Sequence, residues 1–226
     1  DRARRRADNT DVAGIVAALG EAGVTAVDRA LVLGAGGTAQ AALAALRELG
    51  ATAPTVLVRD VSRTGELRAA AERLGVTPDV RGTLPPARRT APPAGHGGPP
   101  ADHDDPPAGH GDRPPDHGNP PAGHGGPPDD AAGTVELPAA DVVISTLPAG
   151  AADALRAPGS GAVLDVVYAP WPTPFAARAA ADGARVVSGL AMLLHQAAAQ
   201  VELMTGRPAP LAAMRAALHE RATVRS

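Results

Sequence analysis

The chain has 226 residues and a net charge of −3; all 21 of its basic residues are Arg, and it contains no Cys. This charge gives no electrostatic reason to expect nucleic acid or an acidic membrane surface as a partner. The lack of Cys excludes disulfides, thiolate metal ligands and a Cys nucleophile on this chain. With no apolar run near the roughly 20 residues that span a bilayer and no signal-peptide core at the start, we expect a cytoplasmic protein.

Apolar runs and helix-forming segments alternate along the chain. A first short helix is predicted to start with Thr10 or Asp11 as its N-cap and to end near Gly20. The predicted strands are continuous apolar runs, as expected for strands covered by helices on both faces: residues 30–33, 55–58, 141–144, 162–166 and 184–187. The predicted helices between and after them cover residues 39–49, 66–74, 190–204 and 208–221. This alternation predicts an α/β fold with parallel βαβ units and a doubly wound sheet.

A tandem repeat interrupts this pattern. The unit Pro-Pro-Ala-Gly-His-Gly-Gly recurs with drift over residues 92–126 and places a His every seven residues, at His96, His103, His110, His117 and His124. Each unit contains Pro and lacks apolar a and d positions, so the repeat is not a coiled coil. Because so few apolar side chains cannot offset the entropy of ordering, we predict a disordered insertion over residues 88–130. Regular His residues suggest metal binding, but no Cys or carboxylate scaffold fixes a geometry, so we predict no metal site.

The clearest local motif follows the first predicted strand. Gly34 would allow a tight turn from strand to helix, and Gly36 would let the backbone approach a pyrophosphate. Gly37 and Thr38 complete the turn, Ala39 takes the third small position of the motif, and the free N–H groups at the start of the following helix attract phosphate. The motif is typical of a dinucleotide site because a strand precedes it and a helix and a second strand follow it. The alternative is a Gly-rich turn without a ligand.

The end of the second predicted strand indicates which nucleotide would bind. NAD-binding folds usually place an acidic residue there for the ribose 2′-hydroxyl, whereas here Val58 is followed by Arg59, with Arg63 four residues later. Guanidinium groups suit a 2′-phosphate and can stack on adenine, which favours NADP. Asp60 lies one residue beyond the position of the expected acid and could pair with Arg59. The alternative is two solvent-exposed arginines in a loop.

Three further motifs occur in a characteristic order. Asn9-Thr10-Asp11 precedes the first helix, with Gly14 shortly after it, and Tyr168 is followed by Thr173-Pro174. Later, residues 189–196 read Gly-Leu-Ala-Met-Leu-Leu-His-Gln. Together with the Gly-Ala-Gly-Gly turn and the arginines, this set resembles the shikimate dehydrogenase family along essentially the whole chain outside the repeat.

The resemblance implies a Rossmann-type fold and an NADP-dependent interconversion of 3-dehydroshikimate and shikimate. Asp11 matches the carboxylate that works beside a Lys in proton transfer. Gln196 matches a residue that binds a substrate hydroxyl, and Tyr168 matches a Tyr that lines the substrate pocket. The family's phosphate turn is matched by Gly34, Gly36, Gly37 and Thr38. Its contacts to the 2′-phosphate and adenine are matched by Arg59 and Arg63, and its backbone contact to the nicotinamide is matched by Gly189.

Each assignment has a structural alternative. Asp11 could only cap its helix, Gln196 could be an exposed helix residue, and Tyr168 could be a core or lid aromatic. His195 points about 100° away from Gln196 on a helix, so we interpret it as structural.

The sequence also departs from the family. The family often has Asn-Ala-Thr where residues 145–148 read Ser-Thr-Leu-Pro, and it has an N-terminal substrate domain that carries the catalytic Lys, which this Lys-free chain cannot supply. We therefore expect residues 1–11 to be the remnant of a substrate domain, 12–189 an NADP-binding domain and 190–226 C-terminal helices. Without its partner Lys we expect negligible dehydrogenase turnover by the chain alone. The alternatives are a non-catalytic NADP-binding module or a quinate-type dehydrogenase, and the oligomeric state, a homodimer included, is left open.

Overall fold

Six parallel strands form the main sheet of the structure, a computed structural model that describes residues 8–82, 84 and 134–223. The predicted insertion, with its five repeat histidines, lies outside the described residues. In chain order the strands are β1 (Ala30–Leu33), β2 (Thr55–Leu57), β3 (Asp79–Arg81), β4 (Val135–Glu136), β5 (Val142–Ser145), β6 (Leu155–Arg156), β7 (Ala162–Asp165) and β8 (Arg185–Ser188). The main sheet has the order β3-β2-β1-β5-β7-β8, and β4 pairs with β6 in a separate parallel ladder.

Helices cover both faces of this sheet. They are α1 (Thr10–Glu21), α2 (Gly37–Glu48), α3 (Gly65–Leu74), α4 (Pro174–Ala181), α5 (Gly189–Thr205) and α6 (Leu211–Thr223), with a single 3₁₀ turn at Val61–Arg63. Alternate residues of each strand point to opposite faces. Val32, Val56 and Ile144 therefore pack with α1, α2 and α5, whereas Leu31 and Val143 pack with Phe175 of α4 on the other face. The predicted doubly wound α/β fold is confirmed.

The sequence missed four short elements. β3 was not predicted because it is an edge strand with exposed Asp79 and Arg81, and its parallel pairing with β2 holds it in place. The two-residue strands β4 and β6 carry too few residues for a periodic pattern. Helix α4 is not predicted from the sequence, although its start carries a clear signal: Thr173 is the N-cap and Pro174 takes the first helical position.

The start of α1 differs from the predicted cap. Asn9, and neither Thr10 nor Asp11, is the N-cap, and its side chain accepts a hydrogen bond from the Asp11 backbone N–H at 3.0 Å. The cap moves one residue upstream because Thr10 and Asp11 already belong to the helix. The Asp11 carboxylate is therefore not the cap of α1.

Helices α1 and α5 pack so closely that Gly14 is required at their crossing. A Cβ at Gly14 would lie 2.8 Å from the Met192 carbonyl oxygen and 3.2 Å from the Gln196 Cβ. On the same pair of helices, Gln200 donates a hydrogen bond to the Thr10 hydroxyl at 3.2 Å. Among the described residues, no helix is long and apolar enough to cross a membrane.

The crossing generates a prediction with a control inside the same helix. Gly14→Ala should destabilise the fold by about 1–3 kcal/mol, because the added methyl group overpacks the interface with α5. Gly20→Ala adds the same methyl group where nothing lies within 4 Å. That variant should be neutral or more stable by up to about 1 kcal/mol, since Ala has the higher helix propensity. Urea unfolding followed by circular dichroism measures both; equal effects of the two substitutions would contradict the close crossing.

Candidate dinucleotide-binding site

The sheet order creates a crevice at the carboxyl ends of β1 and β5. These neighbouring strands pair in register from Ala30 with Val142 to Leu33 with Ser145. From β1 the chain continues to β2 on one side, and from β5 it continues to β7 on the other. In open α/β sheets, such a reversal of direction leaves a crevice between the two outgoing connections, where ligands bind.

The turn that leaves β1 is fixed by backbone geometry. Gly34 has a φ of +106°, which side-chain-bearing residues rarely adopt, and a Cβ there would lie 2.5 Å from the Thr146 hydroxyl oxygen. That hydroxyl donates to the Leu33 carbonyl at 2.7 Å, and the Gly34 N–H donates to the Leu57 carbonyl at 2.9 Å. The turn is thus held against both neighbouring strands.

The N-terminus of α2 opens from this turn. Its N-cap is Gly36, which offers no side chain to the free N–H groups of the first helical turn. A Cβ at Gly36 or Gly37 would meet nothing within 4 Å, so the backbone there borders open space. Ala39, by contrast, is fully buried against the core, which agrees with the third small position of the motif. This arrangement suits an anion approaching the helix end.

A cleft of about 640 Å³ lies beside this helix end. It is lined by residues that follow the carboxyl ends of β1, β2, β3 and β5: Gly34, Ala35, Gly36, Val58, Arg59, Asp60, Arg63, Leu84, Thr146, Leu147 and Pro148. The structure thus brings the glycine turn and both predicted arginines to one cleft. The sequence marks residues 145–148 only as a departure from the family, whereas the structure places Thr146, Leu147 and Pro148 on one wall of the cleft. The signal for it is the strand order, because these residues follow β5, the neighbour of β1.

Asp60 lines the same cleft but is engaged by its own turn. Its carboxylate accepts hydrogen bonds from the Ser62 hydroxyl at 2.6 Å and the Ser62 N–H at 2.9 Å. These bonds, followed by the nearby charge of Arg63, lower the pKa of Asp60 below its ordinary value. The carboxylate caps the 3₁₀ turn that carries Arg63. No ion pair between Asp60 and Arg59 occurs within the described part of the chain, so the pairing left open by the sequence is not formed.

Asp11 and Gln196 belong to one helix–helix interface. Gln196 contacts the position of Gly14, and Asp11 precedes Gly14 by three residues, which places both on the same side of α1. The Asp11 side chain is partly exposed, as is that of Gln196. Their neighbour His195 lies 3.2 Å from the Glu21 carboxylate through its Nε2 atom and is 10% exposed, which supports its structural interpretation.

Tyr168 lies in the loop between β7 and α4. Its side chain is 56% exposed, so it is not a core aromatic. Gly189, at the start of α5, is buried against the beginning of the same loop: a Cβ there would lie 2.0 Å from the Val166 carbonyl oxygen. The backbone at Gly189 is thus placed where the end of β8 meets the Tyr168 loop. Taken together, the doubly wound parallel sheet, the glycine turn and the cleft at its reversal point define a dinucleotide-binding protein of the Rossmann class.

Comparisons with known proteins narrow this class. The family described as Shikimate 5′-dehydrogenase C-terminal domain matches residues 189–219. The shikimate dehydrogenase (NADP(+)) of Moorella thermoacetica is 33% identical over 94% of this chain and 60% of its own length. That of Halobacterium salinarum is 35% identical over 96% of this chain and 64% of its own. The chain is thus similar to shikimate dehydrogenases over nearly all of its own length.

Solved structures agree with this similarity. The crystal structure of Mycobacterium tuberculosis shikimate dehydrogenase is 35% identical, with a TM-score of 0.63, over 97% of this chain and 65% of that one. A Thermus thermophilus shikimate 5-dehydrogenase in complex with NADP(H) and shikimate is 26% identical, with a TM-score of 0.55, over 94% of this chain and 62% of that one. The chain therefore spans somewhat under two thirds of the length of these relatives.

The buried carboxylate of Asp165 beside this site predicts a distinctive pH dependence. Burial raises the pKa of Asp165 above its ordinary value of 3.8, and hydrogen bonds from Thr173 and Val167 only partly oppose this. The native state therefore holds the proton at pH values where the unfolded chain has released it. The difference in free energy of unfolding between the native chain and Asp165→Asn should favour the native chain most below pH 3.8. This difference should decrease as the pH rises through the elevated pKa of Asp165 in the native state.

Asp182 provides the matched control, because Arg156 lowers its native pKa. Relative to Asp182→Asn, the native chain should lose stability as the pH falls below 3.8, the opposite trend. Denaturant unfolding at a series of pH values measures both differences. Parallel pH profiles for the two variants would contradict the raised pKa of Asp165.

Proposed function

We propose that this chain provides the NADP-binding site and one wall of the substrate site of a shikimate dehydrogenase, which reduces 3-dehydroshikimate to shikimate with NADPH. The observation that carries the proposal is the cleft in which the uncapped N-terminus of α2 meets Arg59 and Arg63. We further propose that residues 12–189 form the nucleotide-binding domain and that the C-terminal part, with most of α5 and all of α6, begins at residue 190.

The chemistry of the cleft fits a phosphorylated dinucleotide. Gly36 and Gly37 border open space and leave the first N–H groups of α2 free for the pyrophosphate. Arg59 and Arg63 are exposed on the same cleft, and neither forms an ion pair within the described residues. Two free guanidinium groups suit a 2′-phosphate through charge-assisted hydrogen bonds. The hydrogen bonds of Asp60 go to Ser62, so its carboxylate forms no direct hydrogen bond with either arginine among the described residues.

In the proposed reaction, bound NADPH supplies the hydride that reduces the carbonyl carbon of the substrate. Asp11 would exchange a proton with the substrate oxygen beside a Lys supplied from outside this chain, which has none. Gln196 would hold a substrate hydroxyl from the neighbouring helix, and Tyr168 would close the substrate site from its exposed loop. The proposed roles of Asp11 and Gln196 are supported by their shared interface at Gly14.

The first test is nucleotide binding by this chain, measured by isothermal titration with NADPH and NADH. Arg59→Ala and Arg63→Ala should each weaken NADPH binding roughly 10- to 100-fold. This fold-change corresponds to the loss of about 1.5–3 kcal/mol, the usual contribution of a hydrogen bond to a charged group. Binding of NADH, which lacks the 2′-phosphate, should change little. Arg73→Ala removes an exposed arginine at the end of α3 and should leave both affinities unchanged. Equal loss of NADH and NADPH binding would contradict recognition of the 2′-phosphate.

The second test concerns Asp11 in the full-length gene product. Asp11→Asn should lower kcat by a factor of about 10²–10⁴, the usual contribution of a positioned acid or base, with little change in NADPH affinity. The fold should survive, because the Asn9 side chain caps the Asp11 backbone N–H and does not involve its carboxylate. Asp28→Asn, an exposed substitution of the same kind before β1, should retain full activity. Wild-type kcat in Asp11→Asn would remove Asp11 from the mechanism.

A further inference from the structure

The loop between β7 and α4 is tied at both ends to one buried carboxylate. Asp165, the last residue of β7, is 1% exposed. Its Oδ2 accepts a hydrogen bond from the Thr173 hydroxyl at 2.7 Å, and its Oδ1 accepts one from the Val167 N–H at 3.3 Å. Val167 and Thr173 lie near the two ends of the loop, so a single side chain closes it.

The same hydrogen bonds fix the start of α4. The Thr173 hydroxyl oxygen accepts from the Ala176 N–H at 3.1 Å while its proton goes to Asp165. Phe175, in the first turn of the helix, is fully buried in the core. The far end of the loop is therefore anchored by packing as well as by the carboxylate.

The residues between these ends are exposed. Tyr168 is 56% exposed and Trp171 is 38% exposed. The near end of the loop also touches α5, because the Val166 carbonyl lies against Gly189. The position of Tyr168 relative to the start of α5 thus depends on how firmly the loop is closed.

We infer that Asp165 is a positioning residue, which holds the loop of residues 166–173 closed and so fixes Tyr168 relative to the start of α5. Burying a carboxylate is costly unless hydrogen bonds compensate it, and the loop supplies both donors. The positioning itself rests on the hydrogen bonds and burial; its link to substrate rests on the proposed function, in which Tyr168 lines the substrate site.

Trp171 makes the loop directly observable, because it is the only Trp of the chain. Thr173→Val keeps the shape of Thr173 but removes both of its hydrogen bonds. Asp165→Ala keeps the Thr173 cap of α4 and removes both acceptor oxygens of the loop. In both variants, quenching of Trp171 by acrylamide should increase about twofold as the loop opens locally. Thr173→Ser restores the hydroxyl and Asp182→Asn removes a carboxylate at the other end of α4; both should quench as wild type.

Two results would overturn the positioning role. Unchanged quenching in Thr173→Val would show that the hydrogen bond from Thr173 to Asp165 does not hold the loop. An effect of Thr173→Val with none of Asp165→Ala would show that loss of the helix cap alone moves Trp171. Urea unfolding of each variant shows whether it is folded under the conditions of the quenching experiment, and only folded variants are compared.

The link to substrate is tested in the full-length gene product. Thr173→Val should raise KM for 3-dehydroshikimate roughly tenfold with a smaller change in kcat, and the NADPH dissociation constant should stay at its wild-type value. An unchanged KM alongside increased quenching would overturn the substrate link. Failure of the proposed function is read separately, as loss of NADPH binding or of shikimate turnover in the wild-type protein.

Discussion

The close approach of the β1–α2 turn to the end of β5 is the constraint on which the site depends. The two strands are neighbours at the point where the sheet reverses its winding, and the Thr146 hydroxyl fills the space that any Cβ at Gly34 would need. Because the turn cannot move away from β5, the first N–H groups of α2 face the crevice instead of the core. The cleft, its phosphate-binding helix end and its basic wall follow from that one contact.

Three carboxylates around this sheet are engaged in holding the fold. Asp141 accepts hydrogen bonds from the Arg29 N–H and guanidinium at 2.8 and 3.0 Å, which joins the start of β5 to the segment before β1. Asp60 caps a turn, and Asp165 closes a loop. Each of these side chains has local donors that account for its position. The guanidinium groups of Arg59 and Arg63 form no ion pair within 4 Å among the described residues, although the charge of Arg63 acts on Asp60, and both are exposed on the cleft, where they suit a ligand phosphate.

The crossing of α1 and α5 performs a second task besides packing. It brings the segment around Asp11 against the segment around Gln196, although they lie near opposite ends of the chain. Gly14 permits this approach, and the Glu21 carboxylate, close to both His195 and Arg215, ties α1 to α5 and α6 at the other end of the helix. Burial alone would raise the pKa of Glu21, but Arg215 and His195 hold it below its ordinary value, so the carboxylate stays charged at this junction.

The sequence by itself determined the strands of the sheet core, the glycine turn and the two arginines, because buried parallel strands and a phosphate turn leave continuous apolar runs and fixed glycine spacings. It did not determine the edge strand β3 or the place of residues 146–148 on the cleft wall, because both depend on a neighbouring strand distant in sequence. The N-cap of α1 is a local contact, but Asn9, Thr10 and Asp11 are all good capping residues, and only the backbone conformation selects Asn9. Asp165 illustrates the limit: its position at the end of an apolar run is visible in the sequence, but not that Thr173 and Val167 both donate to it. Only the tertiary structure decides such contacts, since hydrogen-bond partners are chosen by chain packing and not by local residue type.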